Sequence, residues 1–168
     1  MNHIILIGFM GAGKTSVGEA LAKEMGLVFA DTDERIEAQQ QKKINDIFAQ
    51  HGEAYFRDLE TDMLKQLQSE KERLVISVGG GLPVRSENRK LLKELGTVVY
   101  LRAQVDTLVG RLQGDTTRPK LAGGDLREKI ETLMRAREAC YLEAAQLLVD
   151  TDKKNIEDTV KEIEDHVL

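Results

Sequence analysis

Lys14 and Thr15 close the run Gly8-Phe9-Met10-Gly11-Ala12-Gly13-Lys14-Thr15, which fills every fixed position of the pattern G-x-x-x-x-G-K-[ST]. Residues of these types at this spacing bind phosphate. Glycines let the backbone curl so that several N–H groups converge on an anion. A helix starting near Lys14 adds the positive end of its dipole. The lysine supplies a mobile full charge, and the threonine hydroxyl supplies an oxygen for Mg²⁺. Gly11, Ala12, Gly13, Lys14, Thr15 and Ser16 therefore form the candidate phosphate site, with Lys14 the catalytic cation and Thr15 a metal ligand. A plain glycine turn between strand and helix is the alternative. The context disfavours it, because an apolar run (Ile4-Ile5-Leu6-Ile7) precedes the loop and Val17, Leu21 and Ala22 follow at helical spacing.

Further chemistry lies downstream. Asp31-Thr32-Asp33 ends a second apolar run. In open α/β sheets ligands gather at the carboxyl ends of strands. One of these carboxylates can organise Mg²⁺ and its water, and the other can orient or deprotonate an attacking hydroxyl. Helix capping by Asp31 or Asp33 is the competing role. Gly79-Gly80-Gly81 follows another apolar run directly, where glycines let backbone approach a ligand, or simply turn. Arg57 and Arg137 stand in amphipathic segments. They are either solvated surface cations or forks for a planar carboxylate. Arg118 sits in a glycine-bearing loop from which it can swing onto phosphates as a lid.

The elements that must position these groups read as strands alternating with helices. Residues 4–7, 27–30, 74–78, 97–101 and 147–149 resemble short strands. Helical stripes are formed by Phe56, Leu59, Met63, Leu64 and Leu67, by Leu91, Leu92 and Leu95, and by Ile156, Val160, Ile163 and Val167. Asn155 and Asp125 read as N-caps. The pattern predicts an α/β fold of the P-loop NTPase type: a five-stranded parallel sheet between two helical layers. Two stretches break the alternation. Residues 34–69 hold two or three helices without a strand, a substrate-binding excursion spanning about 33–62. Residues 113–125 form a polar loop, the core of a lid at about 112–125.

The 168 residues fit one domain, with 41% hydrophobic and 32% charged residues marking an ordinary globular chain. The net charge of −5 excludes a strongly basic nucleic-acid binder. Cys140 is the single cysteine, so an intrachain disulfide is excluded and a reducing cytoplasm is expected. It reads as a small buried hydrophobe on a helix, with a reactive thiol the alternative. The N-terminal apolar run is too short for a signal peptide, and no run reaches the ~18 apolar residues of a membrane span.

In order and spacing, the set resembles the shikimate kinase family. The carrying residues are Gly8 through Gly18, Asp31-Thr32-Asp33, Phe56-Arg57, Gly79-Gly80-Gly81, Thr117-Arg118-Pro119-Lys120-Leu121, Arg137 with Tyr141, and Val149-Asp150-Thr151. The resemblance implies ATP- and Mg²⁺-dependent phosphorylation of the shikimate 3-hydroxyl, on the route to chorismate and aromatic amino acids. It implies that Asp33 binds the ring hydroxyls and is the candidate base. Arg57 and Arg137 would grip the carboxylate, and Gly80, between Gly79 and Gly81, would lend backbone to the substrate. Asp31 and Thr15 would serve Mg²⁺. Arg118 would reach the ATP phosphates, and Arg111 would stack on adenine with Lys154 nearby. The chain departs from the family pattern at Ile156, where proline is common, and near Lys154, where arginine is. Both departures touch the adenine wall.

Two other readings stand beside this one. Another small-molecule kinase, for gluconate or a similar sugar acid, shares the loop and the need for a carboxylate grip. A non-catalytic ATP-dependent binding module shares only the loop. The absence of an Asn-Lys-x-Asp motif argues against a guanine-reading switch. The length suits a monomer.

Overall fold

Alternate residues of the central strands are apolar in both directions, and this dictates a sheet covered on two faces. The computed structural model describes residues 2–113, 124–152 and 154–168. Its strands are β1 (His3–Ile7), β2 (Val28–Asp31), β3 (Leu74–Ser77), β4 (Gly96–Arg102) and β5 (Leu147–Asp150). All pairings are parallel, in the order β2-β3-β1-β4-β5. From β1, Ile5 and Ile7 enter one core with Ile76, Val98 and Tyr100, while Ile4 and Leu6 enter a second with Val75, Val99 and Leu101. The three-layer α/β/α arrangement follows from that alternation.

Helices α1 (Lys14–Met25) and α8 (Ile156–Val167) cover the second core. The first core is covered by α3 (Ile44–His51), α4 (Glu53–Leu67), α5 (Ser86–Leu95) and α7 (Leu126–Ala144). Helix α2 (Thr32–Gln40) leads into α3 and α4, so the strandless excursion is three helices long. Helix α6 (Val105–Leu112) packs through Leu108 and Leu112 against Phe9 and Ile130. Both anticipated caps form: Asp125 accepts from Glu128 N at 3.3 Å, and Asn155 accepts from Asp158 N at 2.7 Å.

Three details differ from expectation. Leu27 lies just past α1 and its Gly26 cap, where its amide bonds back to Ala22 O, and β2 starts one residue later. Ile156 leaves the apolar stripe of α8, being the first residue of that helix and 45% exposed. Cys140 is half-buried on α7 rather than buried. No helix among the described residues is long and apolar enough to cross a membrane.

Candidate active site

Adjacent strands β1 and β3 are followed by helices on opposite faces of the sheet, α1 over the second core and α5 over the first. A crevice opens at the carboxyl ends of the strands at such a point. Here it is a cavity of about 480 Å³. The phosphate loop forms its floor, with Gly11 at φ 84° and Gly13 at φ 96°, left-handed conformations that a side chain would strain. Gly13 is the N-cap of α1 and provides no side-chain acceptor, so the first-turn amides present donors to a ligand. Lys14 Nζ donates to Gly8 O at 2.5 Å, which folds the ammonium back over the loop.

Asp31 and Asp33 both line this cavity, together with Gly79, Gly80, Arg111 and Lys154. Asp31 also caps α2, its Oδ1 accepting from Glu34 N at 3.2 Å. Capping and cavity lining therefore coexist at Asp31. Between the two aspartates, buried Thr32 accepts from Gly79 N through Oγ1 at 3.2 Å. That bond ties the end of β2 to the glycine turn after β3.

The three glycines make room for four polar side chains. A Cβ on Gly79 would stand 2.8 Å from Asp33 Oδ1 and 2.9 Å from Glu60 Oε2. On Gly80 it would stand 3.3 Å from Arg137 Nη1, and on Gly81 2.4 Å from Arg57 Nη2. Arg57, Arg137 and Gly81 lie outside the lining of the large cavity, but this turn joins them to it. Arg57 donates to Glu60 at 2.6 Å and to Glu53 at 3.3 Å. Arg137 is buried, its guanidinium 5.6 Å from the Phe9 ring centroid. Its Nη1, like Glu60 Oε2, has no hydrogen-bond partner among the described residues. Tyr141, one turn along α7, donates to Gly80 O at 2.5 Å and ties the turn to that helix.

Glu60 is fully buried, and burial pushes its carboxyl up to about 7, against the pull of Arg57. Buried polar atoms without partners are rare and mark places built to meet a ligand. Here two cationic forks and two carboxylates surround a backbone turn, next to a phosphate-binding loop.

Arg111, also on the cavity lining, donates through Nη1 to Gly11 O at 2.8 Å. Lys154 lines the cavity as well, although its ammonium pairs with Glu162 at 3.1 Å. Ile156, exposed at the start of α8, is part of the lining too. Arg118 and most of the polar loop lie outside the described residues.

The family model for shikimate kinase matches residues 10–168. The chain belongs to the shikimate kinase family. It is 41% identical to a shikimate kinase of Chromobacterium violaceum over 99% of this chain and 90% of that one. A shikimate kinase from Acinetobacter baumannii, solved in complex with shikimate, superposes with a TM-score of 0.95 at 36% identity, over 99% of this chain and 93% of that one. A gluconokinase from Sinorhizobium meliloti reaches a TM-score of 0.56 at 20% identity, over 96% of this chain and 88% of that one, and shares the fold alone. Family membership brings ATP with it as the phosphoryl donor.

Glu60 and Thr32 carry no motif that marks them in the sequence as site residues. The only signal for Glu60 was its place one turn after Arg57, a spacing that usually marks a solvated helix pair. For Thr32 it was the position between two carboxylates at a strand end.

Proposed function

We propose that the chain transfers the γ-phosphoryl group of ATP to the 3-hydroxyl of shikimate, with the residues of the cavity and the glycine turn in the roles given below. The observation that carries this reading is the meeting of a phosphate-binding loop with two arginines and two carboxylates across Gly79-Gly80-Gly81. Shikimate is a small carboxylate bearing hydroxyls. Arg57 and Arg137 offer forked donors to the carboxylate. The glycine backbone lets the ring approach, and Asp33 takes a hydroxyl. In the transfer the 3-oxygen bonds to the γ-phosphorus, the bond from that phosphorus to the bridging oxygen of ADP breaks, and the hydroxyl proton passes to Asp33.

Lys14 and the amides of residues 11–16 orient the phosphates and offset their charge. Arg118 would add a cation from the lid at about 112–125. Arg111, Lys154 and Ile156 border the adenine. Thr15 and Asp31 would hold Mg²⁺. No group of three or more His, Cys, Asp or Glu side chains among the described residues could hold a metal ion. A hydroxyl and one carboxylate fit Mg²⁺, which takes few protein oxygens and fills its octahedron with phosphate and water. When bound, the ion would neutralise charge on the β- and γ-phosphates. We read residues 1–168 as one kinase domain, a cytoplasmic monomer, with the acceptor held by the region about 33–62.

Release of ADP from Mg²⁺-ATP, measured with shikimate, with gluconate and with no acceptor, tests the assignment. Shikimate alone should accelerate release, with shikimate 3-phosphate as product. Equal rates with and without shikimate would overturn it.

A further inference from the structure

The N-terminus of α6 receives no capping bond from its own N-cap residue, Gln104. Its cap comes from 48 residues away. The Asp152 carboxylate accepts from Gln104 N at 3.0 Å and 3.2 Å, and from the Thr107 hydroxyl at 2.6 Å. A carboxylate at that position satisfies orphan amides and complements the helix dipole. What makes the contact more than a cap is what lies on either side of it. Helix α6 is only eight residues long, and its other end carries Arg111, bonded to Gly11 O, and Leu112, whose Cγ would stand 3.0 Å from a Cβ on Gly11. Asp152 belongs to the segment between β5 and α8, which contributes Thr151 and Lys154 to the lining of the same cavity, joined there by Ile156, the first residue of α8. The next residue back, Thr151, is tied to Arg102 O through its amide at 2.8 Å and its hydroxyl at 3.1 Å.

We propose that Asp152 is a positioning residue for the nucleotide: by capping α6 from the β5–α8 segment, it fixes Arg111 of α6 relative to Lys154 and Ile156, which line the same cavity. This rests on the reading of the cavity as a nucleotide site. Asp152 itself touches no substrate. It ties two cavity-lining pieces of chain together, so its loss should weaken nucleotide binding while leaving the residues around Gly79-Gly80-Gly81 intact.

The test uses the full chain. Affinity for the fluorescent nucleotide mant-ATP is titrated directly, beside kcat and the two KM values. Asp152→Ala should weaken mant-ATP binding and raise KM for ATP about five- to tenfold, the effect of a lost cap. KM for shikimate and kcat at saturating ATP should stay within twofold. Asp152→Asn keeps an acceptor oxygen and should stay within twofold of wild type throughout. Mant-ATP affinity within twofold of wild type in Asp152→Ala would overturn the proposal. So would an equal rise in both KM values, or failure of Asp152→Asn to restore binding. Should Asp152→Ala not fold, Thr107→Val removes one of the bonds alone. It should weaken mant-ATP binding two- to threefold, and unchanged binding would again overturn the proposal. Wild-type protein that binds mant-ATP but does not phosphorylate shikimate would sink the acceptor assignment alone, and the binding comparison would still decide Asp152.

Discussion

The guanidinium of Arg57 lies against the α-carbon of Gly81, where a Cβ would stand 2.4 Å from Nη2 and 2.6 Å from Cζ. Gly81 has φ −94°, so alanine can adopt its backbone without strain. The clash falls on the movable end of a long side chain. Gly81→Ala should therefore fold, with Tm within about 2 °C of wild type, while pushing Arg57 aside. KM for shikimate should rise about tenfold, roughly the loss of one charge-assisted bond, and KM for ATP should hold. A rise in KM for ATP alone would contradict the carboxylate role of Arg57.

Arg137 combines burial with an Nη1 that lacks a hydrogen-bond partner among the described residues. Such a cation costs desolvation, which Glu60 and Tyr141 nearby offset in part and a ligand anion would offset further. Arg137→Met should raise KM for shikimate about 10- to 100-fold, on the order of one to two charge-assisted hydrogen bonds. Thermal denaturation should give a Tm equal to or above wild type. A sharply lower Tm with unchanged KM would make Arg137 a structural residue.

Lys14 folds over the loop onto Gly8 O, poised to turn toward bound phosphate. Its removal should reduce kcat by at least about a hundredfold, the scale of one lost preorganised donor. Far-UV circular dichroism of Lys14→Ala should match wild type, since the loop conformation is set by its glycines. Near-normal turnover in this variant would remove the mechanism.

Asp33 lines the cavity while the helix-capping bond belongs to Asp31. Asp33→Asn should lower kcat about 10²- to 10⁴-fold, as loss of a general base does, with a smaller change in KM. Unaltered kinetics would leave Asp33 without a role in transfer.

Glu60 is raised from the ordinary 4.5 to about 7, first by burial, with Arg57 pulling it back. The folded protein keeps this proton across a range in which the unfolded chain has lost it. The contribution to stability is complete below about pH 4.5 and is lost as pH rises towards 7, with a slope of up to about 1.4 kcal/mol per pH unit. Above that range both states are ionised and the contribution levels off. Glu60→Gln, neutral throughout, should lack this slope in urea denaturation. A constant difference between the two proteins from pH 5 to 7 would mean that Arg57 keeps Glu60 ionised.

The phosphate loop and its setting were legible because they are local. Eight consecutive residues carry the turn, and neighbouring apolar periods of two and 3.6 residues fix the strand before it and the helix after it. The five strands, the excursion of helices and the caps at Asp125 and Asn155 follow from the same short-range rules. The strand order β2-β3-β1-β4-β5 is what seats Thr32 on Gly79, 47 residues away, and Asp152 on the first turn of α6, 48 residues before it. No local period encodes which strands become neighbours. That choice is made by the joint packing of both sheet faces, and it decides which polar groups lose water. Glu60 shows the difference most directly. Its spacing from Arg57 is that of an ordinary surface pair, but the packing of α4 against the Gly79-Gly80-Gly81 turn removes it from solvent. Desolvation then changes its charge, a property that belongs to the assembled protein and not to any stretch of its chain.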